Sequence, residues 1–236
     1  LMVGPPGAGK TMLAKAFLSI LPKPSLPEIL ETSKIYSLAG LLSEDRPIID
    51  SHMVRSPHHS ASVAAIIGGG SWPRPGEISL AHNNVLFLDE ILEFPRQILE
   101  ALRQPLEDKL ITVSRVKGSL NFPANFILMA TANPCPCGFL TDKDRECQCG
   151  SNDIKRYQKR LSGPVLDRID LHLLIDKVDS QDLVANNFDA ELSKDIAKRV
   201  DLARQIQNER FEAYNFSLNC DIKNKLINEV CKISKS

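Results

Sequence analysis

Eight residues near the start of the chain, Gly4-Pro5-Pro6-Gly7-Ala8-Gly9-Lys10-Thr11, follow the spacing G-x-x-x-x-G-K-[ST]. Those residue types in that order suit the anionic oxygens of a nucleoside triphosphate. Glycines let the backbone come close and adopt conformations that a Cβ forbids. Successive N–H groups and the N-terminus of the following helix then face the phosphates. Lys10 reaches the β- and γ-phosphates, and the Thr11 hydroxyl is placed to hold Mg²⁺. All eight residues are candidate nucleotide contacts.

Two further stretches carry groups that such a site needs. Val85-Leu86-Phe87-Leu88 runs straight into Asp89-Glu90. A continuous apolar run suits a parallel strand buried on both faces, and ligands of open α/β sheets sit at the carboxyl ends of strands. Asp89 would hold Mg²⁺ directly or through water, and Glu90 would polarise the attacking water. Two surface acids after any strand are the plainer reading, which the phosphate loop upstream disfavours. Phe126 to Ala130 reads as a second buried strand, followed by Thr131-Ala132-Asn133-Pro134. Asn133 is the candidate sensor of the γ-phosphate or attacking water, against the plainer reading of a turn-forming Asn before Pro.

Four cysteines then fall in fifteen residues, Cys135, Cys137, Cys147 and Cys149, with the spacing C-x-C-x9-C-x-C. Thiolates are soft ligands, and four of them on one loop suit tetrahedral zinc. Free reduced thiols and an oxidised pair are the alternatives. Cys220 and Cys231 lie far from this cluster in the sequence. Arg168, in Val165-Leu166-Asp167-Arg168-Ile169-Asp170, precedes a short apolar run and invites an arginine-finger reading, in which a neighbouring subunit stabilises transition-state charge. An intrachain salt bridge to Asp167 or Asp170 is the competing reading. The adjacent His58 and His59 read as a polar loop element in preference to a metal pair, because neighbouring side chains do not share a helix face.

The elements that must position these groups are legible in outline. Leu1-Met2-Val3 reads as the end of a buried strand and Thr11 to Leu21 as an amphipathic helix. Glu28 to Leu42 suits one or two short helices, Arg46 to His59 is irregular, and Ala61 to Ile67 is a short helix. Gly68-Gly69-Gly70 marks flexible or tightly turned backbone. Pro95 to Gln104 reads as a helix ended by Pro105. Leu110 to Val113 and Ser119 to Phe122 form a hairpin around Val116-Lys117-Gly118, with Lys109, Arg115 and Lys117 as its basic residues. Asp153 to Leu161 is a basic helix, and Leu171 to Ile175 a strand. From Asp182 the chain is charged and helical, with Ile196, Val200, Ala203 and Ile206 on one face. Leu218 to Ser236 carries no clear fold signal.

With 236 residues, 43% hydrophobic and 25% charged, the composition is that of an ordinary globular protein. Its 29 basic and 29 acidic side chains cancel, so any basic surface for nucleic acid must be local. No apolar run approaches the ~20 residues of a membrane span, and six cysteines in a nucleotide-hydrolysing domain point to the reducing cytosol. The phosphate loop starts at the fourth residue, which reads as a fragment or a reading frame cut at its N-terminus.

Gly4 to about Ile175 resembles the magnesium-chelatase-like branch of the AAA+ ATPases, and within it the YifB/ComM family. The resemblance rests on GPPGAGKT at 4–11, RSPHHSAS at 55–62, PGEISLAHNNVLFLDE at 75–90, RQPLED at 103–108, NFPANFILMATANPCPCG at 121–138 and RLSGPVLDRIDLH at 160–172. It implies a P-loop NTPase (AAA+) fold, a three-layer α/β/α domain with a central, mostly parallel sheet and a β-hairpin insert. The ATPase domain would cover 1–178 and a partial helical lid 179–236. Lys10, Thr11, Asp89, Glu90 and Asn133 match the family's Walker A, Walker B and sensor-1 positions. Arg168 matches the arginine of its LDR motif, with Arg160 as rival. The resemblance further implies a hexameric ring with ATP and Mg²⁺ between subunits.

Members of the ComM group look like DNA branch-migration motors, whereas the magnesium chelatase subunit drives metal insertion into a porphyrin. The sequence departs from the family in lacking an N-terminal domain resembling part of Lon protease and any sensor-2 arginine motif after Ser217. Three functions are therefore expected in competition: a cytoplasmic ATP-driven DNA motor, a chelatase-type subunit that remodels a protein partner, and a truncated nucleotide-binding fragment without turnover.

Overall fold

Five short parallel strands run side by side in the computed structural model, which describes residues 1–115, 118–178, 191–214, 216 and 218–231. They are β1 (Met2–Val3), β2 (Val54–Arg55), β5 (Val85–Leu88), β8 (Ile127–Ala132) and β9 (Leu173–Leu174), in the spatial order β2-β5-β8-β1-β9. The strand that enters the phosphate loop lies between β8 and β9, and β5 is reached only across β8. This is the α/β P-loop NTPase arrangement of the AAA+ class.

β5 shows why the sheet needs a layer on each side. Leu86 and Leu88 belong to the larger core, with Ile66, Ile78, Ile98 and Leu102. Phe87 alternates to the other face, where it packs with Met2 and with Ala14 of α1 (Lys10–Phe17). A strand buried on both faces has no polar side to display, hence its unbroken apolar run.

Local chemistry sets most helix ends. α2 (Leu26–Ala39) starts at a capping box, in which Glu28 Oε2 accepts from both the N–H and the hydroxyl of Ser25 at 2.7 Å. It stops at Gly40, whose φ of 71° is left-handed. One helix thus occupies the stretch read as one or two. The irregular stretch 46–59 contributes the edge strand β2, and α3 (Val63–Ile67) follows it. The triple glycine is drawn into a small hairpin, β3 (Gly68–Gly69) with β4 (Arg74–Pro75), ahead of α4 (Glu77–Leu80).

Pro105 does not end a helix. α5 (Arg96–Ala101) gives way to α6 (Arg103–Asp108), and Pro105 stands at the third position of α6. An N–H there would have no intrahelical partner, so its absence costs little. The hairpin β6 (Leu110–Arg115) with β7 (Gly118–Pro123) forms as expected and buries Ile111, Val113 and Phe122. Val116 and Lys117 lie outside the described residues. α7 (Ser151–Gln158) and α8 (Gly163–Leu166) precede β9.

Two units are compact in themselves: Leu1–Leu18 with Lys23–Asp189, and Ser19–Pro22 with Ala190–Ser236. In the second, α9 (Ser193–Arg210) carries the expected Ile196, Val200, Ala203 and Ile206, none of them buried. After it, the rings of Phe211, Tyr214 and Phe216 cluster within 6.1 Å of one another, and the Tyr214 hydroxyl donates to Glu229 in α10 (Ile227–Val230) at 2.8 Å. The expected helix start at Asp182 falls outside the described residues. Among those residues no helix is long and apolar enough to cross a membrane.

Candidate functional site

Strand register brings distant residues to one place. Val3 pairs with Ala132 and Leu88 with Ala130. One step further along each strand, Gly4 arrives beside Asn133, and Asp89 beside Thr131. The phosphate loop and both polar strand ends therefore meet at the carboxyl edge of the sheet.

The loop is shaped for anions. Gly7 and Gly9 both have φ of 80°, and an added Cβ at either would meet nothing within 4 Å, so backbone conformation, not crowding, demands glycine there. α1 begins at Gly9 with no side-chain cap and no acidic residue in its first turn. Its first N–H groups are thus free of protein carboxylates that would compete for them. Lys10 is buried, and its ammonium donates to Gly4 O at 2.7 Å, Pro5 O at 2.9 Å and Asn133 Oδ1 at 3.4 Å. Burial lowers the Lys10 pKa, opposed by the Asp89 and Glu90 carboxylates.

The Thr11 hydroxyl donates to Asp89 Oδ2 at 3.1 Å. Two cis oxygens on an octahedral Mg²⁺ stand about 2.9 Å apart at the ion's ordinary bond lengths. The pair therefore fits a shared Mg²⁺ with almost no movement.

Thr131 was not among the residues singled out in the sequence, yet it is fully buried in the middle of the site. Its hydroxyl donates to Asp89 Oδ1 at 2.5 Å and accepts from the Glu90 N–H at 2.8 Å. Glu90 itself is exposed and left-handed, with φ of 53°. A non-glycine residue rarely holds that conformation, and the Thr131 bond to its N–H helps to hold it here. The only sequence signal for Thr131 is a hydroxyl at the end of an apolar run.

Residues 1–183 match the family described as magnesium chelatase, subunit ChlI. The chain belongs to that family. It is 42% identical over 239 residues to the competence protein ComM of Haemophilus influenzae, covering 99% of this chain and 45% of ComM. It is 43% identical over 238 residues to YifB of Escherichia coli, with the same two coverages. The chain thus spans less than half the length of the curated relatives it matches. Among solved structures, NtrX of Brucella abortus in complex with ATP is 14% identical, covers 74% of this chain and 32% of its own, and superposes with a TM-score of 0.44.

In this ChlI-family chain the remaining candidates have partners of their own. Arg168 donates to Pro164 O at 2.5 Å and forms its ion pair with Glu107 of α6, not with Asp167 or Asp170. Arg160 pairs with Glu93 at 3.2 Å. His58 bonds to the Ser60 hydroxyl at 2.7 Å, and His59 stands edge-on to Phe94. Among the described residues one group converges as a metal site would, the thiols of Cys135, Cys137, Cys147 and Cys149, all within 4.8 Å of one another and none in a disulfide. On the β6–β7 hairpin, Arg115 donates to Gly68 O at 2.6 Å and so ties that hairpin to β3.

Proposed function

We propose that the chain is the ATP-hydrolysing core of a ring motor that acts on DNA, built from copies of itself, most simply six. The observation that carries the ATP reading is the convergence of Lys10, Thr11, Asp89 and Asn133 at the carboxyl ends of β1, β5 and β8. In this reading the loop N–H groups and Lys10 hold the β- and γ-phosphates. Thr11 and Asp89 would hold Mg²⁺, which when bound would supply positive charge against the phosphates. Glu90 takes the proton of the attacking water, and Asn133 orients that water or the γ-phosphate. Arg168 of a neighbouring copy exchanges its bond with Glu107 for the γ-phosphate and stabilises the charge that develops there. Cys135, Cys137, Cys147 and Cys149 hold a structural zinc ion.

The DNA assignment draws on the likeness to ComM and on the paired hairpins, where Lys109 and Arg115 supply positive charge. Contacts of this kind track the phosphate backbone and weaken steeply with salt. The family description favours a second reading, remodelling of a protein partner for metal insertion into a tetrapyrrole.

ATP hydrolysis by the purified chain, measured with and without branched DNA and with Lys10→Ala as control, separates these. Turnover stimulated by DNA and abolished by the substitution is the expected result. Turnover indifferent to DNA would move the function to a protein partner. Nucleotide binding without turnover would make the chain a binding core that hydrolyses only with further segments or subunits.

A further inference from the structure

Residues 133–150 contain neither helix nor strand. Loops of that length with no structure of their own are uncommon in a compact domain, and something must hold this one. Cys135, Pro136, Cys137 and Gly138 make a tight turn, closed by the Gly138 N–H on Cys135 O at 3.0 Å, with proline at its second position. The turn brings Cys135 and Cys137 Sγ to 3.4 Å, and Cys147 returns to lie 3.6 and 3.7 Å from them. A disulfide needs about 2.0 Å. Four sulfurs on a tetrahedral zinc, each about 2.3 Å from the metal, lie about 3.8 Å apart. The observed spacings match the metal site, not the disulfide.

The same turn touches the phosphate loop. Gly138 has φ of 86°, and an added Cβ would meet Cδ and Cγ of Pro6, both at 2.8 Å. Pro6 is a rigid ring in the middle of the loop, so it cannot swing aside as a long side chain would. At the other end of the turn, Asn133 stands two residues before Cys135 and accepts from Lys10. The thiol cluster is therefore braced against the site at two points.

We infer that the four thiolates bind one zinc ion and that this ion sets the geometry of nucleotide binding, by pressing the Gly138 turn onto Pro6 and fixing Asn133 beside Lys10. This coupling rests on the ATP reading above; the metal site does not. Metal binding requires the four thiols to deprotonate and offsets the ordering of a loop that has no strand or helix to order it. Without zinc the Cys135 turn and the Cys147 arm of the loop lose their common anchor, and the Pro6 contact loosens with them.

The test has two parts. Zinc is counted by atomic emission on the full chain purified without chelators, and again after reduction and addition of zinc or cobalt. One zinc per chain is expected, together with the strong visible absorption of tetrahedral cobalt thiolate on substitution. Cys147→Ser should lose the metal, and Cys231→Ser should keep it. Absence of bound metal and of uptake would overturn the site. For the coupling, affinity for a fluorescent ATP analogue is measured with Mg²⁺ present, before and after a zinc-selective chelator and after zinc is returned. Affinity should fall at least tenfold and recover on return, and the recovery excludes irreversible unfolding. Unchanged affinity in the stripped protein would overturn the coupling and leave the zinc site standing. A zinc-loaded chain that binds no nucleotide would overturn the coupling and the ATP reading together, with the metal count unaffected.

Discussion

Thr131 Oγ1 lies 2.5 Å from Asp89 Oδ1, and the donor is fully buried. The proton goes to the carboxylate because the hydroxyl already accepts from the Glu90 N–H. One side chain thus aims the Asp89 carboxylate and holds the backbone from which Glu90 projects.

Thr131→Val keeps the shape and removes both bonds. Hydrogen bonds to charged groups are worth about 1.5–3 kcal/mol, so turnover should fall on the order of ten- to a hundredfold if Asp89 is misaimed by that amount. Nucleotide binding, which in the proposed site rests on the loop N–H groups and Lys10, should change little, and Thr131→Ser should restore most of the rate. Steady-state ATPase assays beside equilibrium nucleotide binding check this. A Thr131→Val protein with unaltered turnover would remove the positioning role.

Arg168 allows its two readings to be told apart. Its pair with Glu107 is part-exposed, and such pairs contribute about 0–1 kcal/mol. Arg168→Ala should therefore barely lower the thermal midpoint while abolishing turnover. Mixing it with Lys10→Ala should recover activity, because some interfaces then join an intact phosphate loop to an intact Arg168. Recovery in the mixture supports action between subunits. A large loss of stability with no recovery would assign Arg168 to the Glu107 pair alone.

Gly4 and Gly7 should respond differently to the same substitution. A Cβ on Gly4 would come within 2.0 Å of Ile175 O, next to β9. Backbone cannot yield as a side chain can, so Gly4→Ala should cost about 3 kcal/mol or more and disrupt the β1–β9 edge. Gly7→Ala meets open space and pays only the left-handed strain, about 1 kcal/mol. Denaturant unfolding of both variants, with nucleotide affinity for Gly7→Ala, measures the difference; equal losses would contradict it.

His82 predicts a pH dependence of stability. Its Nδ1 accepts from the Asn125 N–H at 3.1 Å, which leaves Nε2–H to donate to Glu31 at 3.2 Å. The neutral ring satisfies both partners. Burial pushes its pKa below the ordinary 6.5, outweighing the Glu31 carboxylate that raises it; the same contact lowers the pKa of Glu31. Below 6.5 the unfolded chain binds a proton that the folded chain resists, so stability is full above that pH and declines as pH falls through the window beneath it. The Glu31 shift adds a loss at lower pH, where carboxylates titrate. Thermal midpoints between pH 8 and 5 should show a decline that His82→Gln flattens. An identical slope in the variant would exclude His82 as its source.

The phosphate loop was legible from residue types because its chemistry is local. Eight consecutive residues supply the glycines, the lysine and the hydroxyl, and in such a loop the backbone does most of the binding. The apolar run before Asp89 was equally plain, since a strand buried on both faces cannot hide its composition. The Leu110–Phe122 hairpin needed only two β-rich runs and a turn. Pro105 was misread because a proline says where a helix cannot continue, whereas its place within the first turn of α6 depends on where the preceding helix stops.

Nothing local says which polar group meets which. Thr131 looks like one more residue at a strand end until the Leu88–Ala130 register sets it against Asp89. Arg168 has acids on either side of it in sequence, yet its ion pair is with Glu107 of α6, and proximity in space outranks proximity in the chain. Cys135 and Cys147 are separated by a loop whose path no spacing rule predicts, and Gly138 and Pro6 by more than half the domain. Composition and spacing are enough to propose the nucleotide site, because each motif carries its own chemistry. Packing chose the partners, because hydrogen bonds and contacts of a few ångströms depend on strand register and loop path, which belong to the whole fold.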